Sequence, residues 1–207
     1  MALALFAVCA LSAAAQLLFA DSRAVSGAWY LRGSGGPPSA TLFFESFLKG
    51  VPTDHPHRPL LEKARELREL TAADRETFLD AAEVMWRVTD AAEGAAKYGA
   101  SFRPIDYFVT LHAKLAGDPC CDHMHDGMGF LTQHAALTSE FELSLQSVAK
   151  TLAVPYWDYT VDSARVEVNG VRPESFRDIF RESELFTAVW FGNTEGTEHK
   201  IADGRFA

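Results

Sequence analysis

The sequence predicts a mainly α protein, an antiparallel helical bundle, on three observations. Between Phe130 and Val148, the residues Phe130, His134, Leu137, Phe141, Leu145 and Val148 step by four, three, four, four and three, drawing one inward stripe along a helix. "TAADRETFLDAAEVMWRV" (71–88) opens with Thr71 and has Asp74 three residues later, the pattern of a capped helix start. "RPIDYFVTLHAKLAG" (103–117) reads as a further short helix, with Pro104 tolerated in its first turn and Gly117 near its stop.

Taken from the N-terminus, "MALALFAVCALSAAAQLLFA" (1–20) is apolar or small almost throughout. A secretory signal peptide is expected there, with Ala13 and Ala15 or Ser12 and Ala14 as cleavage contexts, and with it a secreted protein. No Lys or Arg precedes Arg23, and about twenty apolar residues span a bilayer, so a membrane anchor stands as the alternative. Residues 21–58 read as a linker-like segment, broken by "RGSGGPPSA" (32–40) and "GVPTDHPHRP" (50–59). Residues 59–207 form the expected domain. Its first helix is drawn over "PLLEKARELREL" (59–70), where Leu60, Leu61, Ala64, Leu67 and Leu70 lie near helical spacing. The second helix starts at Thr71 and is expected to end between Gly94 and Gly99. After Pro155 the helical pattern stops, and β-branched residues mix with turns, including a short hairpin around Asn169-Gly170.

Composition limits the function classes. A chain of 207 residues with 48% hydrophobic residues can bury one good-sized core. Its 19 Lys and Arg against 28 Asp and Glu give a net charge of −9, and no basic run tracks a phosphate backbone, so nucleic acid is not an expected partner. Cys9 would leave with a signal peptide. Cys120 and Cys121 are adjacent and bridge each other only with strain, so they are free or paired elsewhere.

The histidines are the chemically informative residues. His123, His125 and His134 fall within twelve positions, "HMHDGMGFLTQH", of a chain with seven histidines. His134 lies on the inward stripe, and His112, four residues beyond Phe108, projects from the packing side of its own helix. Imidazoles from two helices and an intervening loop can converge on one ion, and an all-nitrogen set suits copper or zinc better than calcium or magnesium. The residues alone leave a second reading open, in which His112 and His134 are hydrogen-bonded core histidines and His123 and His125 are surface loop residues.

The wording around these histidines decides more. "YFVTLHAKLAG", then "HDGMGFLTQHAALTSEFELSL", then "VPYWDY" resembles the first copper-binding half of tyrosinases and related binuclear copper proteins. His125 and His134 have eight residues between them, Phe141-Glu142 follows, and Pro155-Tyr156-Trp157-Asp158 comes at a suitable distance. "LTAADRETFLDAA", "SELFTAVWFGN" and "IADGRFA" are similar to flanking segments of that family, and the resemblance spans about residues 60 to 207. It implies a bundle of the tyrosinase/hemocyanin type and a first copper held by His112, His125 and His134, with His123 outside the ligand set and Phe130-Leu131 packed beside the site. It implies no catalytic residue beyond these ligands. Glu142 is expected to be a structural or supporting acceptor, Asp158 structural, and Tyr156 and Trp157 core aromatics.

Departures from the family pattern are specific. Gln133 and Ala135 stand where many members have Trp and Arg. Some members link a cysteine to the second ligand across one residue; that position before His125 is His123, and Cys121 has the spacing to His123 only. The family's second copper needs a His-x-x-x-His pair plus another histidine, and no such pair exists among His55, His57, His112, His123, His125, His134 and His199. The chain is therefore expected to be the front half of a longer protein, with one copper site of a pair and an exposed apolar face. The resemblance implies an oxidoreductase that uses copper and dioxygen to oxidise phenols or diphenols to ortho-quinones. A non-enzymatic dioxygen carrier and an inactive metal-binding remnant are the alternatives.

Overall fold

The computed structural model describes residues 65–116, 122–125, 129–158, 161–162, 183–193 and 200–207, apart from the Leu131 side chain. The expected leader or anchor, the linker-like segment, the first half of the helix drawn over 59–70, Cys120, Cys121, His55, His57, His199 and the turn at Asn169-Gly170 lie outside the described residues. Among the described residues no helix is long and apolar enough to cross a membrane. The chain falls into two units, Met1–Trp157 and Asp158–Ala207.

The first unit is helical, with α1 at Ala72–Arg87, α2 at Ala91–Tyr98, α3 at Ile105–Ala116 and α4 at Gly129–Val148. Thr71 caps α1 as its spacing predicts: its hydroxyl accepts the Asp74 N–H at 3.1 Å and donates to the Asp74 carboxylate at 2.7 Å. Phe78, Leu79, Ala82 and Met85 recur at helical spacing and are buried where α1 packs on α3 and α4.

Two sequence expectations need correction. The second helix does not run on to Gly94. It stops at Arg87, and a separate helix starts because the Asp90 carboxylate accepts the Ala92 and Glu93 N–H groups at 2.8 and 2.9 Å. Gly94 instead lies inside α2, where an added Cβ would overlap the buried Phe102 ring, so the close approach of that ring requires glycine. The described end of the segment 59–70 is also not α-helical. The Tyr156 N–H donates to the Arg65 carbonyl and the Leu67 N–H to the Tyr156 carbonyl, at 2.9 and 2.8 Å, leaving only a 3-10 turn at Leu67–Glu69. A long-range backbone pairing outcompetes the local helical pattern there.

Helices α3 and α4 run antiparallel, as the contacts between them establish. The Ser144 hydroxyl, close to the end of α4, bonds both the N–H and the carbonyl of Arg103 at 2.8 Å, just before α3 begins. One turn on, Phe108 and Phe141 meet edge to face at 5.3 Å, and beyond them His112 faces His134. The inward stripe of α4 is buried at His134, Leu137, Phe141 and Leu145, whereas Phe130 at its start is 39% exposed. Thus the bundle is mainly α and of the expected type, with the histidines at one end of a paired-helix core.

Glu142 ties α4 to the segment that returns past Pro155. Its carboxylate accepts the Val154 N–H at 3.0 Å and the Gln146 amide at 3.3 Å, while that amide also donates to the Leu152 carbonyl. Burial raises the Glu142 pKa, against the lowering effect of these donors. A carboxyl whose pKa is raised on folding contributes stability that is present below its unfolded pKa and is lost as pH rises through the folded value. The stability difference between wild type and Glu142→Gln should therefore shrink as pH rises through that value. Urea unfolding of both proteins across acidic to neutral pH measures it, and a widening gap would contradict the assignment.

In the second unit, Ser183 caps a 3-10 turn at Glu184–Phe186, burying Leu185. Trp190, Phe191 and Phe206 form a ring cluster, and Asn193 donates to Asp203 through both its backbone and side-chain nitrogens at 2.9 and 3.1 Å. No strand occurs among the described residues.

Candidate metal centre

Three imidazoles meet where α3 and α4 come together beside the turn 122–125. His112 comes from α3, His134 from the first turns of α4, and His125 from the turn. Their ring centroids stand 5.3, 5.5 and 5.5 Å apart, and one nitrogen from each lies within 4.8 Å of the others. The structure thus brings together the three residues singled out in the sequence. His123 is exposed and outside the group, and Phe130 packs its ring 5.0 Å from His134.

The hydrogen bonds fix which nitrogen is free. His134 Nδ1 lies 2.7 Å from the Phe130 carbonyl, which can only accept, so Nδ1 carries the proton and Nε2 the lone pair. His125 Nδ1 lies 2.8 Å from the Asp122 carboxylate, which imposes the same tautomer. The Nε2 atoms of His112 and His134 are buried and have no hydrogen-bond partner. An unpaired buried nitrogen costs on the order of 1–3 kcal/mol, and two of them facing one point fit a metal ion that would satisfy both.

Electrostatics favours neutral ligands. Burial lowers the His112 pKa, helped by His134 and His125 nearby. Burial also lowers that of His134, against the raising effect of the Phe130 carbonyl. Both rings therefore keep their lone pairs at a pH where an ordinary histidine begins to protonate. The Asp122 carboxyl is held below its usual range, first by the hydrogen bond from the His125 ring.

The other sequence-chosen residues are not part of this group. Glu142 is the half-buried acceptor already described; Asp158 is fully buried, and Tyr156 and Trp157 are core aromatics. A cavity of about 310 Å³ lined by Arg65, Leu70, Phe78, Leu152 and Pro155 includes none of the histidines. Sequence reasoning missed Asp122. Its signal was an aspartate three residues ahead of a ligand candidate, the spacing of a turn in which the side chain accepts later backbone N–H groups.

Comparison with known proteins agrees with this geometry. Residues 103–203 match the common central domain of tyrosinase, a span that includes all three histidines. A curated tyrosinase of Streptomyces antibioticus is 31% identical over 106 residues, covering 49% of this chain and 33% of that protein. The tyrosinase of Streptomyces glaucescens is 42% identical over 60 residues, covering 28% of this chain and 22% of that protein. The chain thus spans a third or less of the length of these relatives, and no solved structure matches it. With the domain match reaching from before His112 to Asp203, and a helical bundle that gathers the histidines, the chain belongs to the tyrosinase family.

Proposed function

We propose that His112, His125 and His134 hold one copper, the first of a binuclear pair, in a protein that oxidises phenols or diphenols to ortho-quinones with dioxygen. The observation that carries this reading is the pair of buried, partnerless Nε2 atoms on His112 and His134, aimed into the same group as His125. Three imidazole nitrogens and no carboxylate form a donor set that favours copper or zinc, and the family favours copper.

The chain's own residues have definable parts in this chemistry. The Phe130 carbonyl and the Asp122 carboxylate each hold a ring proton on Nδ1, which keeps the opposite nitrogen available. His134 is buried, which shields its nitrogen from water, while His125 is exposed, on the side from which a small molecule would approach. The part-exposed Phe130 ring beside His134 offers that molecule an apolar wall, suited to an aromatic substrate. Copper, when bound, supplies the redox chemistry and the dioxygen binding.

The test is copper stoichiometry of the purified chain, with dioxygen uptake and quinone formation followed on a diphenol. About one copper per chain is expected; no copper bound would defeat the metal reading. Quinone formation by the loaded protein supports the oxidase, whereas reversible dioxygen binding without oxidation would replace it with a carrier.

A further inference from the structure

We infer that Asp122 is the positioning residue of the exposed ligand, and that the turn 122–125 is a preformed arm which presents His125 to the other two histidines. The inference rests on the ligand reading above. His112 and His134 are carried by helices, whose backbone geometry directs their rings; His125 is not. An exposed histidine on a turn samples several rotamers and both tautomers unless something selects one of them.

Asp122 makes that selection with both carboxylate oxygens. Oδ1 accepts the Met124 and His125 N–H groups, each at 2.9 Å, which closes the turn and sets the backbone from which the His125 ring projects. Oδ2 accepts the ring Nδ1–H of the same residue at 2.8 Å, which sets its tautomer and leaves Nε2 unprotonated. One side chain therefore controls the position and the protonation pattern of one ligand.

The arm is held at three further points. The His123 N–H donates to the Leu115 carbonyl at the end of α3, at 3.1 Å. The Met124 side chain is 1% exposed, a buried anchor between two exposed histidines. The His123 carbonyl oxygen would stand only 2.6 Å from a Cβ at Gly129, so the turn lies directly against the first residue of α4. Contacts with the ends of both ligand-bearing helices, together with a buried side chain, make this a built turn.

Asp122→Asn separates positioning from mere structure. The amide oxygen can still accept the two backbone N–H groups, but the amide nitrogen then faces the His125 ring as a donor. It should impose the opposite tautomer, with the proton on Nε2 where the metal would bind. Asp122→Ser is the companion variant, because a hydroxyl can close the turn but is too short to hold the ring.

Two measurements on the full chain decide the matter: long-range proton–nitrogen correlations of the metal-free imidazoles at a pH where they are neutral, and copper titration. Wild type should show His125 protonated on Nδ1, and Asp122→Asn should show it protonated on Nε2 while His112 and His134 keep their signals. Copper affinity should fall by about 10–100-fold in both variants. Wild-type His125 protonated on Nε2, or variants that bind copper as tightly as wild type, would overturn the inference and leave the ligand reading intact. A wild-type chain that binds no copper would overturn both.

Discussion

Phe141→Ala should lower the unfolding free energy by about 3–5 kcal/mol, a large share of the roughly 5–15 kcal/mol that holds a domain together. Phe141 is 1% exposed on α4, and its edge-to-face partner Phe108, on α3, is fully buried. Truncation removes a buried ring and leaves a cavity that two helix backbones cannot easily close. The same contact lies between the Ser144–Arg103 tie and the pair His112–His134, so its loss should also loosen the spacing of the histidines. Urea unfolding should show a lower midpoint with an unchanged slope. Leu143→Ala, at a 53% exposed position on the same helix, serves as control and should change stability by no more than about 0.5 kcal/mol. Equal costs for the two variants would mean that the α3–α4 seam is not the core.

His134→Ala should abolish specific copper binding while changing the metal-free stability little. The wild-type ring is buried with one nitrogen unpaired, and its other nitrogen bonds only a carbonyl of its own helix, one turn back. Removing it loses packing but also removes an unsatisfied buried group, and alanine is the better helix former. The consequence appears on adding metal. A ligand that binds only the folded state at a hundred times its Kd stabilises by about 2.7 kcal/mol, and wild type should gain this while the variant gains none. Thermal unfolding with and without copper reads the difference, and an equal rise in Tm for both would remove His134 from the ligand set.

Helices α1 and α4 were legible because their signals are local. A stripe at intervals of three and four marks α4 in any context, and Thr71 with Asp74 marks the start of α1 whatever packs beside it. The break between α1 and α2 was equally local and was overlooked: Asp90 caps α2 through its own side chain, but two glycines further on drew the boundary too far. Leu67–Glu69 was not legible, since Tyr156, ninety or so residues away, takes up the backbone groups on either side of it.

By itself the sequence determined the helical class, the two helices that carry His112 and His134, and a family resemblance that named His125 as their companion. Periodicity and motif spacing suffice for these, because both are properties of neighbouring residues. Only the tertiary structure decided that the three rings converge and that two of their nitrogens are left buried and partnerless. It alone also assigned the fixing of ring protons to Asp122 and the Phe130 carbonyl. Convergence and tautomer depend on how α3 lies along α4 and on where the turn between them is tied, and those distances belong to the packed fold.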